Sequence, residues 1–299
     1  MSGQTSPTVA ERLAARLLRP VAAEDRERAT LHVVDWTGCA VAAAQSAPAR
    51  AMRRIFPRTE DFEGVMYWGA LGNVLEMDDV DKRALLHPGP VVIPAALVGC
   101  DLYQCDAATF LDAIVRGYEA MIRVGRAVGP GHYKFWHNTS SCGPFGAAAG
   151  LAASVPRDDP RIADALGLAG TQAAGFWQTR HEPLSMAKQL HAARAAHAGL
   201  AAFALADEGF IGIRTIFEGP QGFFAATCPG ADPGDVVAFE EDASWAIFDV
   251  SFKPWAACRH AHAVIDAALA LRDKGVVADD VESLLIRVYA DAVTFCDKP

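Results

Sequence analysis

The chain has 299 residues, 52% of them apolar and 21% charged, enough apolar material for a substantial core and too much for a disordered chain. Lys plus Arg total 27 against 36 Asp plus Glu, a net charge of −9, which argues against a nucleic-acid binder held by a basic face. Any anionic partner must therefore be met by a local cationic pocket.

Seven scattered cysteines without a CxxC pair imply neither a disulfide framework nor a zinc ribbon, and reduced thiols in a cytoplasmic chain are the expectation. No apolar run reaches the ~18 residues that a membrane span needs. The longest, residues 90–100, is interrupted by Pro94. The first twenty residues lack the hydrophobic region of a secretory signal and read as a short amphipathic helix. A soluble chain with no membrane or nucleic-acid partner is expected.

Ala and Leu dominate the first two thirds at helical spacing. Helices are predicted over 24–44, with Asp25 and Glu27 in the first turn, and over 51–56, stopped by Pro57. A helix over 64–77 would carry Glu76, Asp78 and Asp79 to its C-terminal end, where the dipole disfavours carboxylates. A cluster set against its local preference asks for a functional reason, a solvated loop being the plainer alternative. After the His87-Pro88-Gly89-Pro90 turn, an apolar helix runs to about residue 102, and a long one capped by Asp106 covers 107–128.

Residues 136–143 read as a turn-rich segment ahead of a small-residue helix at 145–153, and helices follow at 160–176 and 192–208. Ala147, Ala148, Ala149 and Gly150 allow close helix packing. Residues 219–235 are linker-like. Beyond them, 245–252 and 283–290 alternate like strands around a helix at 257–272. Two strands do not make a stable sheet. The expected organisation is mainly α: an all-helical domain over 1–235, then 236–299 as the start of a smaller α+β lid domain inside which the chain stops.

Four segments concentrate ionisable groups beside turns: 76–87, 132–143, 188–191 and 253–262. Cys258-Arg259-His260-Ala261-His262 has the look of a metal knuckle, but on a helix only Cys258 and His262 share a face, so no metal site is assigned. GxxxxGK[ST], a strand-to-helix GxGxxG and GxSxG are absent. His32, His181 and His197 read as filler. Lys188, Lys253, the remaining histidines and the acids at 76–79 suit proton transfer beside a carboxylate, the plainer reading being two surface lysines.

Taken in order, Glu76-Met77-Asp78-Asp79 with His87-Pro88, Gly117-Tyr118-Glu119, His137-Asn138-Thr139 with Gly143-Pro144-Phe145-Gly146, Lys188-Gln189-Leu190-His191, and Lys253-Pro254-Trp255 with Cys258-Arg259-His260 resemble the MmgE/PrpD family. That family contains 2-methylcitrate dehydratase, aconitate decarboxylase and iminodisuccinate epimerase. The resemblance implies a helical domain joined to an α+β lid, a site in the cleft between them, a homodimer, and cofactor-independent chemistry on small di- or tricarboxylates. Carried over residue by residue, it makes His87, His137, Lys188 and Glu76 catalytic and Lys253, Arg259, His191 and Asp79 substrate-binding, without a metal.

Glu76 stands where the family usually has Asp, and Val80, Asp81 and Gly89 also depart from common choices. The expected activity is a hydro-lyase on 2-methylcitrate or citrate, by proton abstraction α to a carboxylate. Epimerisation or decarboxylation of a related polycarboxylate, or an idle subunit, are the alternatives. The family continues past the equivalent of residues 294–299, so a truncated, split or short member is expected, with a separate C-terminal polypeptide as a partner.

Overall fold

Helix starts follow local chemistry in the computed structural model, which describes residues 6–158, 161–182, 184–240 and 242–296. Thr8 accepts from the Glu11 amide while Glu11 reaches back to the Thr8 amide, a capping box that opens α1 (Val9–Leu17). Asp25 accepts from the Ala22 amide at the start of α2 (Ala23–Ala43). Ser46 and Asp106 cap α3 (Ala47–Ile55) and α6 (Ala107–Ala127) with their side-chain oxygens. Between these two come α4 (Gly64–Asn73) and α5 (Gly89–Leu102). After α6 follow α7 (Gly129–Tyr133), α8 (Asn138–Ala152), α9 (Ile162–Gly170), α10 (Ala187–Asp207), α11 (Phe223–Thr227), α12 (His262–Asp273) and α13 (Ala290–Cys296).

Every residue of α8 is buried, with α6 and α10 as its main neighbours. Small residues make that possible. A Cβ on Gly146 would lie 2.5 Å from Met121 Cβ, and one on Gly199 would lie 2.4 Å from Ala147 Cβ. The deepest charge, Glu119 on α6, is held by Arg16 at 3.0 Å, by Arg123 at 2.5 Å and by the Ala246 amide at 2.6 Å. A buried carboxylate needs such pairing.

Several boundaries differ from the sequence reading: α3 starts at 47 rather than 51, α9 ends at 170 rather than 176, α12 starts at 262 rather than 257, and three further differences bear on the site for a tertiary reason. The segment 136–143 is mostly the first turns of α8, not a loop. Two of its polar side chains bond to distant chain, Asn138 to the Ala84 carbonyl and Thr139 Oγ1 to the His87 amide, and Ser141 bonds back to His132. α10 starts at Ala187, not near 192, and so carries Lys188 and His191 in its opening turns. α4 ends at Asn73, so Glu76, Asp78 and Asp79 lie in the following loop and escape the dipole at the helix end.

The predicted strands are absent. Among the described residues only isolated bridges occur, Val80–Ser251, Asp81–Leu86 and Trp136–Phe176, so the chain is mainly α-helical and shows no β part of a lid. Residues 246–249 form a 3-10 turn, because Trp245, Ile247 and Val250 bury against the helices. Arg28 takes the Val250 carbonyl at 2.6 Å, and Glu119 takes the Ala246 amide. Those backbone groups are spent on the helical body rather than on a neighbouring strand. Leu284 and Leu285 are exposed and find no second strand to pack on. Among the described residues no helix is long and apolar enough to cross a membrane.

Candidate active site

The loop after α4 takes a left-handed turn at Glu76, whose φ is 55°. A non-glycine residue there costs about 1–3 kcal/mol and persists only where its surroundings hold it. Two lysines do. Lys253 Nζ donates to the Glu76 carbonyl at 2.5 Å, and Lys188 Nζ lies 2.5 Å from both carboxylate oxygens. Burial pushes the Glu76 carboxyl up, but the positive charges of Lys188 and Lys253, that of His87 whenever it is protonated, and the Lys188 hydrogen bond outweigh it and hold the group below its ordinary value.

His87 is fixed from the same loop. Its Nδ1 lies 2.7 Å from the Asp79 carbonyl and 3.2 Å from Asp78 Oδ2, and both are acceptors. Nδ1 therefore carries the proton, which leaves Nε2 as the basic nitrogen. Burial lowers the pKa of this imidazole below the ordinary histidine value, with Lys253 and Lys188 adding to the effect and Asp78 opposing it. In the free site His87 is neutral at neutral pH.

A cavity of about 380 Å³ opens in front of these groups, walled by the 76–87 loop, the start of α10, the 3-10 turn Trp177–His181 and the segment around Lys253 and Arg259. Five cations line it (Lys82, Arg180, Lys188, Lys253 and Arg259) against two carboxylates, Glu76 and Glu182. A larger cavity of about 500 Å³ lies beside α1, but its charges already serve one another: Arg214 is 2.9 Å from Asp164 and 3.9 Å from Glu11.

Of the eight residues singled out in the sequence, Glu76, His87, Lys188, Lys253 and Arg259 line the smaller cavity. The other three stand behind it. His137 is 1% exposed, packed against Trp177 at 4.5 Å between ring centroids, with its Nδ1 3.1 Å from His191 Nδ1. Burial and the nearby Lys188 push His137 well below the ordinary histidine value and lower His191 too. His191 faces an adjoining cavity of about 280 Å³.

Asp79 is buried behind His87, where its carboxylate accepts from His32 Nδ1 and the Tyr118 hydroxyl, each at 2.7 Å, and from the Gly89 amide at 2.9 Å. Burial pushes Asp79 up, yet those partners together hold it below the usual carboxylate range.

Sequence reasoning passed over Trp177 and Arg180 in the wall, His32 behind it, and Asp35. Asp35 is half-buried on α2 and pushed up to about 7 by burial and by the charges of Asp79 and Asp78. Nothing local marks Trp177 or Asp35, whereas Tyr118 belonged to one of the motifs. Among the described residues no group of three or more His, Cys, Asp or Glu side chains is arranged to hold a metal ion.

A cis-aconitate decarboxylase-like protein of Aspergillus oryzae is 32% identical over 171 residues, 52% of this chain and 34% of that protein. Cis-aconitate decarboxylase of Aspergillus terreus is 28% identical over 210 residues, 64% of this chain and 41% of the relative. The matched stretches thus span well under half the length of either relative. Residues 9–235 match the MmgE/PrpD N-terminal domain along their whole course, from the first residue of α1 to the 3-10 turn beyond α11. With the order of the sequence motifs and the helical body that displays them, that match makes this chain a member of the MmgE/PrpD family.

Proposed function

We propose that the chain belongs to an enzyme that moves a proton at a carbon next to a carboxylate of a small polycarboxylate, with decarboxylation of a cis-aconitate-type tricarboxylate as the leading reaction. One observation carries the reading: a neutral imidazole tied through Nδ1 offers Nε2 to a cavity that also holds Lys188, Lys253, Arg180 and Arg259. In this reading residues 1–235 are the helical body. Residues 236–299, which bring Lys253 and Arg259, begin the lid, and a second copy of the chain is the expected partner.

Lys188, Lys253 and Arg259 hold the carboxylates that stay on the substrate, as fixed cations do best in a site poor in water. The bond from carbon to the departing carboxylate breaks, carbon dioxide leaves, and the electron pair shifts along the allylic system to a carbon that takes up one proton. His87 supplies it. In the free site burial, Lys253 and Lys188 keep His87 neutral; a trianion that neutralises those lysines raises its basicity and loads the proton on binding. The names of the two relatives favour this reaction over the others on the same scaffold.

The neutral state of His87 in the free site also suits the opposite task. As a base it would take the α proton of citrate or 2-methylcitrate and start a dehydration. Deuterated water separates the readings. Decarboxylation of cis-aconitate yields carbon dioxide and a five-carbon diacid bearing one deuterium, dehydration yields new alkene absorbance, and epimerisation yields deuterium exchange with neither carbon dioxide nor a new alkene. His87→Gln should lower kcat by at least ~100-fold with a much smaller change in KM. No turnover or exchange of any of these acids by the wild-type chain overturns the reading.

A further inference from the structure

Asp79 is used twice. Its backbone carbonyl accepts from His87 Nδ1, and its side chain accepts from Gly89, two residues further on, so one residue clasps both ends of the turn that presents the imidazole. The turn is otherwise closed by the Asp81 amide on the Leu86 carbonyl and passes through a left-handed Leu85, φ 52°. A turn this constrained holds one shape only if its anchor is held.

The anchor lies far from the cavity in sequence and in depth. His32 comes from α2 and Tyr118 from α6, and both are essentially buried. His32 Nε2 is buried without a partner, so Asp79 is the one hydrogen-bonding contact of that ring among the described residues. The opposing acceptor at His87, Asp78 Oδ2, stands farther away at 3.2 Å and is itself taken by Asn73 Nδ2 at 2.8 Å. The Asp79 carbonyl is thus the closest restraint on the ring.

We propose that His32 and Tyr118 are positioning residues for His87: by locking the Asp79 carboxylate between α2, α6 and the first residue of α5, they hold the Asp79 carbonyl against His87 Nδ1 and fix the imidazole with Nε2 toward the cavity. Neither touches the substrate. They act through the tautomer and aim of another residue, and Tyr118 and His32 are needed together because both hold the same carboxylate oxygen, Asp79 Oδ2, so that losing either leaves that oxygen with one donor and loosens the backbone it anchors.

The test is long-range proton–nitrogen NMR on the full chain labelled with ¹⁵N-histidine, the His87 signals being identified by their loss in His87→Gln. The wild-type protein is expected to show a single His87 tautomer with Nδ1 protonated. Tyr118→Phe, which removes one oxygen and keeps the packed ring, is expected to give a mixture of both tautomers. His32→Leu should do the same, and His32→Asn, which retains a donor where Nδ1 stood, should restore the single form. An Nε2-protonated His87 in the wild type, or an unchanged single tautomer in Tyr118→Phe, overturns the proposal whether or not His32→Leu folds.

This readout needs no substrate. The kinetic arm alone rests on the proposed reaction: kcat falls about ten-fold in Tyr118→Phe with KM unchanged, as expected for a misaimed proton donor. Inactivity of the wild-type chain on cis-aconitate would defeat the decarboxylase reading and leave the NMR result to decide this one.

Discussion

Asp35 shows what the buried acids behind the site cost. Burial and the neighbouring Asp79 and Asp78 carboxylates raise it to about 7, above its unfolded value, so the fold prefers it protonated. Its stabilising contribution is complete below the unfolded value near 4 and is lost as pH rises through about 7. Asp35→Asn should therefore stabilise the protein by an amount that grows between about pH 4 and 7 and levels off above. With the group only half-buried, solvent screening cuts the gain to roughly 1 kcal/mol at pH 8. Denaturant melts at pH 5 and pH 8 check this, and a larger gain at pH 5 would contradict it. Its neighbour Asp79 has the opposite sign: three donors hold it below the usual range, so acid weakens the fold as it protonates.

Helices in this chain are set by two kinds of information, and the glycines separate them. Gly38 on α2 has open space where a Cβ would go, so Gly38→Ala should stabilise by about 0.5–1 kcal/mol through helix propensity alone. Gly146 on α8 meets Met121 Cβ at 2.5 Å and the Gly117 carbonyl at 2.7 Å, so Gly146→Ala should destabilise by about 1–3 kcal/mol despite the same propensity gain. Thermal melts of the two variants must move in opposite directions. The same division explains what could be read beforehand. A capped helix could be legible: α6 was expected at 107–128 under Asp106 and runs Ala107–Ala127, whereas α3, capped by Ser46, was expected only from 51. The start of α8 was not, because Asn138 Nδ2 and Thr139 Oγ1 find their partners at Ala84 and His87, far away in the chain. The alternation at 245–252 mimicked a strand because Trp245, Ile247 and Val250 face a helical body rather than a sheet. At the site, motif order located the groups on the cavity wall, while the screening of His137 by Trp177 depends on a loop that no motif marks.

Across the whole molecule, charge works in two directions. A chain of net charge −9 repels a polycarboxylate at long range, yet the cavity wall carries five cations against two carboxylates, and one of those carboxylates, Glu76, is already committed to Lys188. A low-dielectric cleft focuses such a local excess, whereas the overall charge acts from farther off and is screened first. Binding of tricarballylate, an unreactive tricarboxylate, followed by calorimetry should therefore weaken several-fold as ionic strength rises from about 0.01 to 0.15 M, the range over which the screening length falls from ~30 to ~8 Å. Arg259 lines the cavity without an ion-pair partner among the described residues, so Arg259→Gln should weaken binding about ten-fold at low salt and flatten the salt dependence. Glu182, on the same wall, gives the reverse: Glu182→Gln removes a repelling charge and should tighten binding. Salt-independent binding in the wild type would mean that the wall cations are neutralised by one another's partners and that the cavity is not built for an anion.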